Sequence, residues 1–259
     1  MSQDSIIDEN RAYWTRRAPG YSRVNRLELR TQSRRLWLET LEGQLQSQFP
    51  DRAPETLRVL EVGTGPGFFA ILLAGAGYRV TAVDLTPSML AQAKENAGPL
   101  AEKIEFLEMN AEALTFDDAS FDAVVSRNLT WDLPHPETAY REWRRVLKPG
   151  GLLLNFDANW YAYLFDEEAR AAYEEDRRNT LEKGMEDGNV GPNFDVMEDI
   201  ARRVPLSRLR RPAWDKRVLT SLGFRVDTDE EVWRRVWSEE EKVNYASTPL
   251  FLIRAVREG

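Results

Sequence analysis

A glycine-rich turn between two apolar segments constrains this chain more than any other feature. One apolar run ends at Glu61, three glycines follow at alternate positions (Gly63, Gly65 and Gly67), and a second apolar run ends at Asp84. Glycine has no Cβ, so the backbone can turn sharply there and approach a ligand closely. The helix that follows points its free N–H groups back at the turn. An acid at the end of the next strand is typical of sites for ribose hydroxyls. The pattern predicts a site for a nucleoside ligand.

The order of the later segments narrows the class of nucleoside ligand. A dinucleotide-binding fingerprint would place its third glycine at position 68, where this chain has Phe68, which disfavours a nicotinamide cofactor. Three further segments follow in order: Asn-Ala-Glu-Ala-Leu at 110–114, an apolar strand at 120–126, and Arg-Arg-Val-Leu-Lys-Pro-Gly-Gly at 144–151. With the glycine turn they resemble the motifs of class I S-adenosylmethionine-dependent methyltransferases, on the small-molecule branch similar to methyltransferase type 11. The resemblance covers about residues 56–156.

This resemblance implies a cofactor and a set of residues that contact it. The implied cofactor is S-adenosyl-L-methionine, with S-adenosyl-L-homocysteine as its product. Many members of the class cover the cofactor with an N-terminal helix pair. By this resemblance Tyr13 and Tyr21 contact the cofactor; the alternative is that both rings only pack against neighbouring side chains. The implied cofactor-binding residues are Tyr13, Tyr21, Glu61, Gly63, Thr64, Gly65, Gly67, Asp84, Leu85, Met89, Asn110, Ala111, Glu112, Arg127 and Asn128.

Alternating strands and helices predict an α/β fold with parallel strands and right-handed crossovers. We expect a Rossmann-like, seven-stranded, mostly parallel sheet with helices on both faces, an N-terminal helical lid and a helical insertion after the fifth strand. Near the N-terminus, Ala18-Pro19-Gly20 is expected to end a first helix, and a second is expected from about Ser22 to Gln48. The predicted divisions are 1–50 for the lid, 51–156 for the cofactor-binding core, 157–211 for the insertion on the substrate side, and 212–259 for the return to the core with the last helix and two strands.

Candidates for the methyl acceptor's side of the site follow the fourth and fifth strands. Asp132 and His135 are candidates for a catalytic base, although a loop histidine is more often simply exposed. A base is required only for an acceptor that is protonated at neutral pH, because alignment alone can supply about 7–11 kcal/mol of such a barrier. Aromatic side chains can wall an apolar or cationic acceptor, or they can form the core of the insertion. The aromatic candidates are Trp131, Trp160, Tyr161 and Tyr163.

Composition excludes several other classes. The chain has no cysteine and one histidine, so thiolate and histidine-rich metal sites are impossible and no metal is expected. Its net charge of −8 makes a general nucleic-acid binder unlikely. The longest strongly apolar stretch, 68–76, is far shorter than the roughly 20 residues that cross a bilayer. The N-terminus lacks a basic-then-apolar signal pattern, so we expect a cytoplasmic protein without a membrane segment.

The favoured function is transfer of a methyl group to a nucleophilic atom of a small molecule, by a monomer or homodimer. Two other functions stay open: a protein or RNA methyltransferase, and a non-catalytic module that binds S-adenosylmethionine. Nothing in the residues decides whether nitrogen, oxygen, sulfur or carbon is methylated.

Overall fold

The computed structural model describes residues 3–187 and 194–259. The predicted lid and insertion also include residues 1–2 and 188–193, which lie outside the described residues. The strands are β1 (Arg58–Val62), β2 (Arg79–Asp84), β3 (Ile104–Glu108), β4 (Phe121–Arg127), β5 (Leu147–Asp157), β6 (Phe224–Asp229) and β7 (Phe251–Arg257). They form one sheet in the order β3-β2-β1-β4-β5-β7-β6. β1 to β5 are parallel, and β7 lies antiparallel between β5 and β6. The predicted fold class is confirmed.

Helices cover both faces of this sheet. They are α1 (Gln3–Arg30), α2 (Gln32–Gln48), α3 (Phe68–Gly75), α4 (Pro87–Ala97), α5 (Pro136–Val146), α6 (Glu167–Glu182), α7 (Phe194–Ala201), α8 (Ala213–Ser221), α9 (Trp233–Val236) and α10 (Glu239–Asn244). Pro87 and Pro136 each begin a helix, a position where the missing N–H costs no hydrogen bond.

Two apolar layers hold the helices on the sheet. On one face, Trp37 of α2 packs with its ring centroid 5.2 Å from Phe69 of α3 and 5.2 Å from Phe156 of β5. On the other face, Tyr140 and Trp143 of α5 are completely buried. Because both faces are covered, the central strand β4 is buried along nearly its whole length.

The strand order reverses between β1 and β4, and this reversal positions the site. Chain connections on the two sides of such a point diverge, which leaves a crevice at the carboxyl ends of the strands. The glycine turn follows β1, Asp84 ends β2, and Arg127 ends β4. The fold therefore brings these three segments to one edge of the sheet.

The predicted helix break at Pro19 is wrong. α1 runs without interruption to Arg30, and the chain turns at Thr31 instead. Pro19 is exposed, whereas Ala18 and Ser22 of the same helix are buried. Packing of this continuous buried stripe outweighs the hydrogen bond that proline removes.

The C-terminal part contains more structure than expected. β5 begins at Leu147 rather than near 151, so the Lys-Pro-Gly-Gly turn forms an irregular start of the strand with a register shift against β4. Two short helices, α9 and α10, lie between β6 and β7, where only strands were expected. No helix in the described part of the chain is long and apolar enough to cross a membrane.

Candidate functional site

A cavity opens at the strand reversal. It encloses about 920 Å³ of space between atoms, part of it open to solvent. Most residues of the predicted cofactor set line it: Tyr21, Glu61, Gly63, Thr64, Gly65, Asp84, Leu85, Met89, Asn110, Ala111, Arg127 and Asn128. Asp132, one of the two candidates for a base, lines it as well.

The glycine turn needs glycine for two separate reasons. Gly63 and Gly65 have φ angles of 71° and 51°, in the left-handed region that side chains with a Cβ rarely adopt. A Cβ on Gly63 would also stand 2.7 Å from Cδ2 of Leu129, inside van der Waals contact. A Cβ on Gly65 would meet only Tyr21, at 3.6 Å, so that position faces a ring across the cavity.

Asp84 ties the turn to the end of β2. Its Oδ2 accepts the Gly65 N–H at 2.8 Å, and its Oδ1 accepts the Thr86 N–H at 2.9 Å. An ionised carboxylate offers about four lone-pair sites, so further acceptor capacity remains for a ligand in the cavity. Burial raises the pKa of Asp84, and the two backbone N–H groups partly offset that rise.

Glu61 stabilises the glycine turn through hydrogen bonds to its carboxylate. Its Oε2 accepts the Thr64 hydroxyl at 2.5 Å and the Ala70 N–H at 2.8 Å, so one buried carboxylate joins β1, the turn and the first turn of α3. A negative charge near a helix N-terminus is favourable. Burial nevertheless raises the pKa of Glu61 to about 7.

The segment after β3 is ordered by its own hydrogen bonds. Asn110 Oδ1 accepts the Glu112 N–H at 2.9 Å, and the Met109 N–H donates to the Asp84 carbonyl at 3.0 Å. The Ala111 carbonyl accepts the Trp143 indole N–H at 3.0 Å. Met109, Asn110 and Ala111 therefore stand as a fixed wall of the cavity beside Asp84.

Arg127 is the last residue of β4, and Asn128 follows it. Arg127 pairs with Glu28 of α1 at 2.6 Å and lies over the rings of Trp37 and Phe68, 4.6 Å and 4.8 Å from their centroids. Asn128 has a φ of 56°, uncommon for a residue other than glycine. Its Oδ1 is buried, and no group within the described ranges donates to it. A left-handed φ angle and an unpartnered buried oxygen are both features that are enriched at functional positions.

One face of α1 forms a wall of the cavity that sequence reasoning largely missed. Asn10, Trp14, Tyr21 and Asn25 all line it, and their spacing of four, seven and four residues puts them on one side of a helix. Of these, only Tyr21 was predicted. The sequence does contain a pattern that could have predicted this wall. Asparagine and aromatic residues recur at helical spacing on this face, whereas a face that only contacts solvent usually carries charged residues.

Asp132 lies where α1 meets the segment after β4. Trp14 Nε1 donates to its Oδ2 at 2.7 Å, and Asn10 Nδ2 donates to its main-chain oxygen at 2.9 Å. Burial raises the pKa of Asp132 to about 7; the Trp14 and Asn10 hydrogen bonds lower it, and the charge of Asp157 raises it.

Three residues of the predicted cofactor set do not line the cavity. Tyr13 packs instead with Ile6, Trp131 and Met197, because it lies one helical position away from the face that Trp14 presents. Gly67 starts α3 in the left-handed region and faces Ala93 of α4. The Glu112 carboxylate instead accepts the main-chain N–H of His135.

The other candidates for the acceptor's side also lie outside the cavity wall. His135 Nδ1 lies 2.8 Å from Glu112 Oε2, and its main-chain N–H donates to Glu112 Oε1. Trp131 and Tyr161 pack with ring centroids 5.0 Å apart, Tyr163 stacks on Tyr173 at 4.0 Å, and Trp160 packs edge-on against Tyr245. Each of these four rings packs against at least one other aromatic ring of the described residues.

A buried ion-pair network supports the segment that carries Asp132. Arg211 pairs with Asp157 at 2.7 Å and with Asp215 at 2.9 Å, and all three side chains are fully buried. Arg211 Nη2 also donates to the Thr130 hydroxyl, and Asp157 accepts the Trp131 N–H at 3.0 Å. In residues 3–187 and 194–259 no group of three or more histidines and acids is arranged to hold a metal ion.

The fold and the site together define the class I methyltransferase architecture, and comparison with known proteins agrees. The sequence profile of the methyltransferase domain family Methyltransf_11 matches residues 60–155. The ubiquinone/menaquinone biosynthesis C-methyltransferase UbiE of Nitrobacter hamburgensis is 41% identical over 110 residues, which cover 40% of this chain and 44% of that protein. The chain thus spans less than half the length of this relative.

Solved structures show the same fold over more of the chain. A chain of the Haloferax volcanii complex between the Trm112 methyltransferase activator and a methyltransferase has a TM-score of 0.60 at 18% identity, covering 95% of this chain and 98% of that one. A SAM-dependent methyltransferase from Aquifex aeolicus has a TM-score of 0.52 at 20% identity, covering 83% and 88%. Residues 60–155 match the methyltransferase domain family, and the resemblance to class I S-adenosylmethionine-dependent methyltransferases is confirmed.

Proposed function

We propose that this protein transfers a methyl group from S-adenosylmethionine to a nucleophilic atom of a small molecule by in-line displacement. The observation that carries the proposal is the glycine turn, which has left-handed φ angles at Gly63 and Gly65 and lines one cavity together with Asp84 and Asn128. At the glycine turn the backbone leaves free the space that a Cβ would occupy, and hydrogen-bond acceptors lie beside it. This arrangement fits a nucleoside with free hydroxyl groups.

Each part of the cofactor has matching residues. Asp84 retains acceptor capacity for ribose hydroxyls, and Leu85, Met89 and the 109–111 segment offer a largely apolar wall for the adenine. Glu61, Gly63 and Asn128 surround the remaining end, where the methionine part would lie. The bound cofactor supplies a methyl group already activated on a sulfonium.

The protein's own contribution is therefore positioning. The turn, β2 and β4 fix one side of the cavity, and α1 forms another, so donor and acceptor are held in line and water is partly excluded. A wall made by a helix restricts the opening, which favours a small molecule over a protein or RNA acceptor. The names of the relatives agree with a small-molecule acceptor. We also propose a monomer or homodimer, and the predicted division into lid, core and insertion.

Labelled methyl transfer tests this function. The full chain is incubated with S-adenosylmethionine labelled in its methyl group and a metabolite extract, and transferred label is measured by mass spectrometry. We expect transfer by the wild type and none by Gly65→Val. The matched control is Gly77→Val, because Gly77 also has a left-handed φ, 95°, but lies outside the cavity. Loss of transfer in both variants, or no transfer by the wild type from any extract, would overturn the proposal.

A further inference from the structure

Two hydrogen-bond acceptors stand unpartnered at one end of the cavity. Oδ1 of Asp132 and Oδ1 of Asn10 are both buried, and nothing in the part of the chain that the structure describes donates to either. Both residues line the cavity. They are neighbours, since the Asn10 amide donates to the Asp132 main-chain oxygen at 2.9 Å. A buried polar atom without a partner is costly, so this pair suits a ligand that brings its own hydrogen atoms.

The other oxygen of the Asp132 carboxylate, Oδ2, already accepts a hydrogen bond. Its Oδ2 accepts the Trp14 indole N–H at 2.7 Å, which fixes the plane of the group and leaves Oδ1 without a donor. The short helical turn Thr130–Asp132 is itself held by Asp157, which accepts from the Thr130 hydroxyl and the Trp131 N–H. The carboxylate is therefore presented rigidly, as a positioned base requires.

The chemistry of the two oxygens selects the group that binds them. A hydroxyl donates one hydrogen, whereas an amino group donates two or three and carries a positive charge when protonated. A carboxylate oxygen and an amide oxygen that both lack donors suit an ammonium group. We propose that Asp132 and Asn10 bind an amino group of the methyl acceptor, and that Asp132 takes the proton this nitrogen must lose. The proposal rests on the methyl transfer proposed above.

The proton transfer balances the reaction. A protonated amine has no lone pair, so it first gives one proton to Asp132 Oδ1. The nitrogen then forms the new bond to the methyl carbon while the carbon–sulfur bond breaks and leaves its electron pair on sulfur. The methylated nitrogen leaves as an ammonium ion, and Asp132 returns its proton to solvent.

The surroundings of Asp132 allow it to change protonation state near neutral pH. Burial raises its pKa to about 7, against the Trp14 and Asn10 hydrogen bonds. The charge of Asp157 also raises it, and that charge is itself paired with Arg211. The other titratable groups that face it are Tyr13 of α1 and Tyr161 after β5, whose own pKa values Asp132 raises.

The Trp14 indole reports directly on Asp132. In a ¹⁵N–¹H spectrum of the full chain, the Trp14 Nε1–H signal is identified among the eight tryptophans by its loss in Trp14→Phe. We expect this signal to titrate with a midpoint near pH 7 in the wild type and in Asp51→Asn, a control that changes an exposed acid at the other edge of the sheet. In Asp132→Asn the titration should vanish. A Trp14 signal that does not respond between about pH 5 and 9 would overturn the role of Asp132.

Matched probes then test the ligand class. Benzylamine and benzyl alcohol share one carbon skeleton, and each is titrated into the protein saturated with S-adenosylhomocysteine while the Trp14 signal is followed. We expect benzylamine to shift the signal, benzyl alcohol to leave it unchanged, and Asp132→Asn to weaken benzylamine by about 10- to 150-fold. Equal binding of the alcohol, or equal binding by the variant, would overturn the amine assignment.

The two proposals fail in different ways. Affinity for S-adenosylhomocysteine is measured separately, and Asp132→Asn should retain it within about threefold. If S-adenosylhomocysteine does not bind the wild type, the proposed function fails. If it binds and benzylamine does not perturb Trp14, only the amine assignment fails.

Discussion

Arg211 and Asp157 form an ion pair closed off from solvent, with Nη1 and Oδ2 2.7 Å apart and both side chains 0% exposed. Arg211 stands at the end of the insertion, and Asp157 ends β5 at the edge of the sheet that carries the site. Asp215 of α8 and the Thr130 hydroxyl complete the surroundings of the guanidinium. The pair thus fastens the insertion to the segment that presents Asp132.

Loss of this arginine should be strongly destabilising. Arg211→Met leaves Asp157 and Asp215 buried without their cation, so we expect the free energy of unfolding to fall by about 3–5 kcal/mol. Urea unfolding followed by circular dichroism measures it. The control is Arg210→Met, an exposed neighbour that should change stability by less than about 0.5 kcal/mol. Similar stability of the two variants would contradict a structural role for the buried pair.

Asp84 should contribute specifically to cofactor affinity. If its carboxylate accepts ribose hydroxyls, Asp84→Ala should weaken S-adenosylhomocysteine by about 10- to 150-fold, the range for a hydrogen bond to a charged group. Asp227→Ala removes an exposed acid from the edge strand β6 and serves as the control. Titration calorimetry gives both constants. A folded Asp84→Ala protein that binds as tightly as the control would show that Asp84 only shapes the turn.

Glu61 should make stability depend on pH in a definite direction. Its pKa is about 7 in the folded protein against 4.5 as reference, so the folded state holds the proton more tightly. The stabilising contribution is then complete below about pH 4.5 and is lost as the pH rises through 7, by up to about 3 kcal/mol.

Glu61→Gln should remove this dependence. The amide oxygen can still accept from Thr64 and Ala70, but it carries no charge to desolvate. We expect the stability difference between the variant and the wild type to grow in favour of the variant between about pH 5 and 8 in urea unfolding. Parallel pH profiles would mean that Glu61 titrates at its ordinary pKa.

Ligand binding should protect α1 from hydrogen exchange. Tyr21 and Asn25 of α1 line the cavity, and the buried Oδ1 of Asn25 has no donor within the described residues, so a cofactor that contacts them would stabilise the helix. We expect slower exchange over residues 5–25 with S-adenosylhomocysteine, and unchanged exchange in β1 and β4 as the internal control. Equal protection in both states would make α1 permanent scaffold and exclude a closing lid.

Local chemistry explains which parts of the fold could be predicted. Glycines with left-handed φ angles, prolines at helix starts and an acid at a strand end act over a few residues, so the sequence pattern alone locates the turn and Asp84. The 110–111 wall was predicted from the family resemblance. The prediction of a helix break at Pro19 was wrong because packing along the whole of α1 decides whether a proline ends the helix. The short helices α9 and α10 carry no comparable periodic signal.

Long-range contacts explain what was missed. Arg211 meets Asp157 across 54 positions, and Trp14 meets Asp132 across 118; no local pattern encodes either pairing. Tyr13 and Trp14 are adjacent in the chain, yet only Trp14 lines the cavity. Which of two neighbouring aromatic residues faces a ligand depends on the rotation of the helix, and tertiary packing sets that rotation.

Calorimetric titration of the full wild-type chain with three adenosine-containing compounds decides most directly whether the cavity is a cofactor site. S-adenosylmethionine, S-adenosylhomocysteine and NAD are compared at one pH and salt concentration. The left-handed glycine turn, Asp84 and Phe68 in place of a third fingerprint glycine predict that the first two bind at one site per chain and that NAD does not. Binding of NAD without binding of either S-adenosyl compound would contradict the assignment of this site.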